Sequence, residues 1–402
     1  MTMISEDMMD ALVADAPANL KETRPFVTAG LKAPGCFLIG LGASRRAGSV
    51  ATGLTGGRRA LLISDHVIAG TGAVALLERA LAAAGFGVST FLEVQPEPHL
   101  ASIEAVEALA ARDGADVVVG IGGGSVMDVA KLAALGIGSG KSAGEHLRRP
   151  QETPRTGALP LILLPTTSGT GSEVSMYAVA SVDGHKRFLA GPELIPDAAI
   201  LDPLLTLTMP PSVTAATGLD ALTHATEALM GKGSNALNET LSLGAIATIL
   251  RALPMACENG ADLEARHAMA FASSLAMMSF NLSGGLWAHS VSYVLTGHFK
   301  TPHGIGCGLA LPSLVEFNAP ASGALMERLA PVFGGAPGAR IRELMTRIGV
   351  SPRLADHGVP EARLGDFARE MVEQYPRAAN PVPMGLPEAE RYWRSMYEGR
   401  AA

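Results

Sequence analysis

The chain has 402 residues, 48% hydrophobic and only 17% charged, which suits two domains with proper cores and argues against a disordered chain. Its formal net charge is -7 and its basic residues form no run, which argues against a duplex nucleic-acid surface or an anionic-membrane surface. Three cysteines, none in a CxxC pair, fit a reducing compartment and argue against a disulfide framework or a Cys-rich zinc site.

Residues 1–24 carry Glu6, Asp7, Asp10 and Asp15 and read as an N-terminal extension, without the basic start and apolar core of a signal peptide. No apolar run has the ~20 residues that a bilayer span needs, so the cytoplasm is the expected location. Beyond the extension, strands alternate with helices. RALLIS (59–64) is an apolar run of the buried-strand type. Val74, Leu77 and Leu81 follow at helical spacing, and Gly85 stands where that helix would stop. VSTFLEV (88–94) is the next strand, and Ser102 can cap a helix with Ile103, Val106 and Ala110 on one face and Gly114 at its end. DVVVGI (116–121) and PLILLP (160–165) are further buried strands, and AAILDP (198–203) closes the region. Between them, MYAVASVDGHKRFLAG (176–191) has two extended stretches around Asp183-Gly184, a hairpin signal. From residue 207 the patterns are helical. The expected division is an α/β unit at 25–206 with a doubly wound, mostly parallel sheet, and an all-helical unit at 207–402.

Three features of the first unit bear on binding. The strand 116–121 runs into Gly122, Gly123, Gly124 and Ser125 and then a helix containing Asp128 and Lys131. Strand, glycines and helix start are how α/β sheets cradle phosphates on free N–H groups, although a turn that only packs strand on helix looks the same. LPTTSGTGSEVS (164–175) is a hydroxyl-rich loop whose Thr166, Thr167 and Thr170 can meet ribose or phosphate, or cap their own backbone. Asp65 ends strand 59–64, where a carboxylate can accept from an adenosine ribose and repel the extra phosphate of NADP, or simply cap a helix. In the second unit, GLDALTHATEALM (218–230) sets Asp220 and His224 on one helical face. His289, His298 and His303 follow in HSVSYVLTGHFKTPHG (289–304). Asp and His from separate helices can form a site for a divalent transition metal, and equally a surface contact.

Taken together and in this order, GGGSVMDVAK, LPTTSGTGSEVS, GLDALTHATEA and HSVSYVLTGHFKTPHG resemble the signature of the iron-containing (group III) alcohol dehydrogenase family. The similarity runs from about residue 25 to the end, including NPVPMGL (380–386). The resemblance implies the dehydroquinate synthase-like fold, with a dinucleotide-binding α/β domain, an all-α metal-binding domain and the active site between them. It implies Asp220, His224, His289 and His303 as metal ligands, with Fe(II) as the expected ion and zinc as the alternative. Gly122, Gly123, Gly124 and Ser125 would meet the pyrophosphate of NAD, with NADP as the alternative. Asp128, Thr166, Thr167, Thr170 and Lys186 fall on cofactor-contacting positions of similar proteins. The implied activity is hydride transfer between nicotinamide C4 and a small alcohol or aldehyde, in a homodimer or larger homo-oligomer.

One departure concerns the substrate. Family members commonly carry HxxxH, whereas this chain has His289-Ser-Val-Ser-Tyr293. Tyr293, with His298 nearby, is the candidate for proton transfer. Lys300 would hold an anionic tail of the substrate if it points into the cleft. Two rival chemistries share this fold: a maleylacetate reductase-like enzyme, and a metal- and NAD-dependent lyase of the dehydroquinate synthase type.

Overall fold

A computed structural model describes residues 30–154 and 157–400; the expected extension at 1–24 lies outside the described residues. The first half contains β1 (Cys36–Ile39), α1 (Ala47–Leu54), β2 (Arg59–Ile63), α2 (His66–Gly70), α3 (Ala73–Ala83) and β3 (Gly87–Phe91). It continues with α4 (Leu100–Asp113), β4 (Val117–Gly122), α5 (Gly124–Ser139), α6 (Ala143–Arg148), β5 (Leu161–Pro165), β6 (Tyr177–Val182), β7 (His185–Ala190) and β8 (Ala198–Leu201). Six strands form one sheet in the order β1-β8-β5-β4-β2-β3, and every pairing is parallel.

The alternation within β2 shows why the sheet is covered on both faces. Leu61 and Ile63 join a core with Ile103 and Val106 of α4 and with α5. Ala60 and Leu62 join an opposite core with Ala47, Leu77 and Leu81 of α1 and α3. Successive side chains of a strand point to opposite faces, so a strand sandwiched between helices reads as an unbroken apolar run. β6 and β7 form a separate antiparallel hairpin, turned by Asp183 at φ 52° and Gly184 at φ 77°, as the sequence predicts.

Some expectations are corrected. The helix expected to be capped by Ser102 begins at Leu100 after His99, and Ser102 lies inside its first turn; Gly114, at φ 67°, does end it. The strand expected over 88–94 stops at Phe91. β1 went unread: it is four half-buried residues at the sheet edge, too short for a periodic signal.

The second half contains α7 (Pro211–Met230), α8 (Ala236–Glu258), α9 (Leu263–Ser283), α10 (Trp287–Phe299) and α11 (His303–Asn318). It ends with α12 (Gly323–Phe333), α13 (Pro337–Arg347), α14 (Leu364–Gln374) and α15 (Leu386–Glu398). No strand follows Leu201 among the described residues. α7 is the hub, packed on α8, α9 and α11. Its buried threonines satisfy themselves: the Thr223 and Thr226 hydroxyls each donate to the carbonyl four residues back at 2.8 Å. The expectation that no segment is long and apolar enough to cross a bilayer is also corrected. α8 has 23 residues, and its most apolar 18-residue window has a mean hydropathy of 1.5. Its Ile246, Ile249 and Leu253 are packed into the helical core, which accounts for that composition. In the NPVPMGL stretch, Asn380 is buried and exchanges amide hydrogen bonds with Asn318 at 2.8 and 3.0 Å, tying the C-terminal segment to α11.

Candidate active site

The carboxyl ends of the strands face the helical half across a cleft of about 850 Å³, where ligands bind in open α/β sheets. On the α/β side, β4 delivers its glycines to the start of α5. Gly123 is the N-cap of α5 and no side chain caps the helix. A Cβ on Gly122 would fall 2.5 Å from Val126 Cγ2, so only glycine lets the turn close here. Gly124 and Ser125 line the cleft, and an uncapped helix N-terminus offers N–H groups to an anion. The hydroxyl loop runs beside it. Thr166 Oγ1 and Ser168 Oγ are buried without a hydrogen-bond partner among the described residues, Thr167 approaches Gly123, and Thr170 Oγ1 accepts from Ser172 N at 3.2 Å.

Asp128 lines the cleft, yet its two oxygens accept from Ser172 Oγ at 2.9 Å and Val179 N at 3.0 Å. It therefore joins α5 to the loop and the hairpin. Lys186 lines the cleft from β7 and pairs with Glu97 at 3.3 Å. Asp65 caps α2, accepting from Ile68 N at 2.8 Å, and is not among the residues lining the cleft.

On the helical side, Asp220, His224 and Glu227 occupy one face of α7. Glu227 is fully buried and acts at the start of α10. Its carboxylate accepts from Leu286 N at 2.7 Å and Ala288 N at 2.8 Å, capping that helix, and from His289 Nδ1 at 2.7 Å. Burial pushes the Glu227 carboxyl up, but the His289 ring and the helix N–H groups outweigh it and hold the group below the usual range. A carboxylate on Nδ1 fixes the tautomer that leaves the Nε2 lone pair of His289 free; that atom is buried without a partner.

His303 is held in the same way from the next helix. The Ser292 hydroxyl donates to His303 O at 2.7 Å and so accepts from His303 Nδ1 at 2.9 Å, which leaves Nε2 with a lone pair. Nε2 lies 3.7 Å from Asp220 Oδ1. α11 reaches this position because a Cβ on Gly304 would fall 1.9 Å from Ala216 O: the two helices touch backbone to backbone. His224 Nε2 lies 3.8 Å from Asp220 Oδ1, with the His224 ring stacked on His289 at 5.0 Å. Burial lowers the His224 imidazole to about 3 and the His303 imidazole to about 4, the latter against the pull of Asp220. Both rings are neutral at pH 7, the form that binds metals. Asp220 Oδ1 is buried without a hydrogen-bond partner.

The orphaned atoms converge. One donor atom each from Asp220, His289, His303 and Cys307 lie within 4.8 Å of one another. The His289 and His303 imidazoles, the Asp220 carboxylate and their unused buried lone pairs fit a divalent transition metal, since an uncompensated buried acceptor is otherwise costly, while His224 stands beside this group rather than within it. The sequence reading missed Cys307, whose buried Sγ lies 3.7 Å from His303 Nε2. It also missed Glu227 and Ser292. Glu227 and Cys307 were detectable, one as the third residue of an α7 face after Asp220 and His224, the other one turn beyond His303.

Tyr293 lines the cleft beside this group. Its ring stacks on His303 at 5.8 Å and packs on Phe188 of β7 at 5.5 Å and Tyr375 at 5.4 Å. Burial raises its phenol, against the pull of the Arg377 guanidinium. The structure does not bring His298 to the site. Its Nε2 lies 2.7 Å from Glu370 Oε2, its ring packs on Phe367, and it is not among the residues lining the cleft. The reason is helical phase: Tyr293 and Thr296 line the cleft, whereas His298 faces α14. Lys300 does line the cleft, as the left-handed C-cap of α10 at φ 56°. Arg377, which carried no signal in the sequence, lines it too.

The iron-containing alcohol dehydrogenase family matches residues 34–203, and the C-terminal part of the Fe-containing alcohol dehydrogenase family matches residues 214–394. Long-chain-alcohol dehydrogenase 1 of Geobacillus thermodenitrificans is 35% identical over 364 residues, covering 86% of this chain and 90% of that protein. A crystal structure of 1,3-propanediol oxidoreductase superposes with a TM-score of 0.87 at 29% identity, over 92% of this chain and 100% of that one. Sulfoacetaldehyde reductase from Bifidobacterium kashiwanohense, in complex with NAD+, superposes with a TM-score of 0.85 at 28% identity, over 92% and 99%. With both halves matched, this chain belongs to the iron-containing alcohol dehydrogenase family.

Proposed function

We propose that this protein is a metal-dependent, NAD-linked dehydrogenase that interconverts a small alcohol and its aldehyde. The observation that carries the reading is the pair of buried, unpartnered acceptors, Asp220 Oδ1 and His289 Nε2, beside His303 Nε2. They stand in the cleft that also holds the uncapped start of α5. On this reading the chain divides near residue 206 into a cofactor-binding unit and a metal-binding unit.

Asp220, His224, His289 and His303 hold the ion, with Cys307 within reach as a further donor. Gly122, Gly123, Gly124 and Ser125 receive the pyrophosphate, while Thr166, Thr167, Thr170 and Lys186 border the rest of the dinucleotide and Asp128 braces them. When bound, the ion supplies Lewis acidity toward the substrate oxygen and the nicotinamide supplies or accepts the hydride. The chain's own part is positional. Glu227 and Ser292 orient the histidine rings, and Phe188, Tyr293 and Tyr375 exclude water from one side of the site. The Tyr293 phenol, raised by burial, stays protonated at neutral pH and relays the substrate hydroxyl's proton, taking it up as it gives its own to water in the cleft.

The test is NADH formation and consumption by metal-free, iron-loaded and zinc-loaded protein across primary alcohols, diols and their aldehydes. Turnover that requires the ion is expected. Protein that holds metal and NADH yet turns over no alcohol or aldehyde would overturn the reading and favour a non-redox lyase.

A further inference from the structure

Arg377 is a charged side chain at the reacting end of the cleft whose own chemistry is left unfinished. It is half-buried and lines the cleft with Tyr293, His303, Lys300, Gly284 and Gly285. Its Nε donates to Ser290 Oγ at 2.8 Å. Its guanidinium carbon lies 5.5 Å from the Tyr293 ring centre. Both contacts are neutral, and they fix the direction of the fork. No carboxylate forms an ion pair with it among the described residues, whereas Lys186, across the cleft, is paired with Glu97. The nearest buried carboxylate, Glu227, is already occupied by His289 and the start of α10.

The place of the fork matters as much as its partners. Arg377 Nη1 and Glu227 Oε2 each lie 3.4 Å from the point where a Gly285 Cβ would stand. Glu227 in turn holds His289, so the guanidinium sits beside the metal group and over the floor left open by Gly284 and Gly285. Glu227 attracts the guanidinium at a distance, yet no ion-pair contact engages the fork. Arginine is the side chain whose planar fork matches carboxylate, sulfonate and phosphonate oxygens. Lys300, on the same rim, adds a second positive charge with no partner among the described residues.

We infer that Arg377 is a specificity-determining residue and that the substrate is a short aldehyde or alcohol carrying a terminal oxyanion. The inference rests on the dehydrogenase reading above and adds the substrate class to it. The oxyanion takes the free edge of the fork, which sets the distance from the tail to the reacting carbon, and Lys300 steers it in from the rim.

The experiment compares ω-oxocarboxylates of two to five carbons, and their sulfonate and phosphonate analogues, with the corresponding neutral methyl esters. Metal-loaded protein and NADH are used throughout. The wild type is expected to favour the anion over its ester by about 30-fold or more in kcat/KM, the scale of a lost partner in a desolvated charge pair. Arg377→Gln is expected to erase that ratio, mainly through KM for the anion, and Arg377→Lys to restore part of it. Lys300→Met should lower the ratio less and lose its effect at high salt. Because Arg377→Gln can fail to fold, binding of short alkylsulfonates and their neutral amides to wild-type protein and NADH is measured by calorimetry as well. Equal treatment of acid and ester, with no preference for the sulfonate, overturns the inference and leaves the dehydrogenase standing. Absence of all turnover with sulfonate still bound overturns the dehydrogenase and keeps the anion site.

Discussion

The two walls of the cleft solve different problems with different materials. The α/β wall presents backbone N–H groups and small hydroxyls, and its one cleft-lining aspartate, Asp128, is tied to Ser172 and Val179. The helical wall presents side-chain lone pairs, and the acceptors behind them aim them: Glu227 behind His289, Ser292 behind His303. A backbone cradle is defined by the side chains it lacks. A ligand set is defined by side chains that must all be present. Removing one functional group should therefore damage the helical wall most, and adding one methyl group should damage either wall where backbones touch.

The largest expected effect is His289→Ala, which removes a donor and leaves Glu227 buried with its remaining charge unpaired. Metal retained after dialysis against a chelator should fall to background, and turnover by about 1,000-fold or more, while NADH binding followed by fluorescence persists. Glu227→Gln keeps every ligand and spoils only the aim of one, and is expected to cost about 10–100-fold in metal affinity. A His289→Ala protein that kept both its metal and its turnover would dissolve the distinction between the walls.

A matched pair of methyl insertions sharpens it. Gly122→Ala drives a Cβ to 2.5 Å from Val126, and Gly304→Ala drives one to 1.9 Å from Ala216 O. Each should cost about 1–3 kcal/mol in stability. The readouts should cross: Gly122→Ala weakens NADH binding about tenfold or more with metal content intact, whereas Gly304→Ala shifts His303 and loses metal with NADH binding retained. If either variant lost both ligands together, the walls would not be separable.

The same contrast explains what could be read in advance. Buried parallel strands are continuous apolar runs, so β2, β4 and β5 stand out, as does the hairpin with its Asp183-Gly184 turn. The glycine turn is legible because its absences are printed in the sequence. The proposed ligands are legible only as part of a family pattern, since Asp220, His289 and His303 meet through the packing of α7, α10 and α11 rather than through local spacing. His298 shows the limit of that reading: it lies between two ligand-bearing segments in sequence, yet helical phase turns it to Glu370. Arg377 is the opposite case, a residue in an irregular segment after α14 that only the tertiary fold carries to Tyr293.

The smallest expected effect tests whether the charge on the α/β wall is structural. Burial pushes the Asp128 carboxyl up to about 6, against the pull of Lys131, Ser172 and the Val179 N–H. Burial lowers the Lys131 ammonium to about 8, although Asp128 and Glu173 oppose it; its Nζ donates to Ser175 O at 2.9 Å and Tyr177 O at 3.0 Å. A carboxyl raised in the folded chain supports folding below its unfolded value near ~4, and that support is lost as the pH rises through about 6. A lowered ammonium supports folding above its unfolded value near ~10.4, and that support is lost as the pH falls through about 8. Both groups are therefore charged, and both desolvation costs are in force, across the neutral range. Asp128→Asn keeps an acceptor for Ser172 and removes the acidic limb. Between pH 4 and 6.5, the unfolding free energy of Asp128→Asn relative to wild type should rise by about 1–3 kcal/mol, as read from urea melts at each pH. Metal content should not change, because no ligand is touched. Profiles that stayed parallel across that window would mean that the carboxyl titrates at its ordinary value, as an exposed cofactor-facing group would, rather than as a brace within the wall.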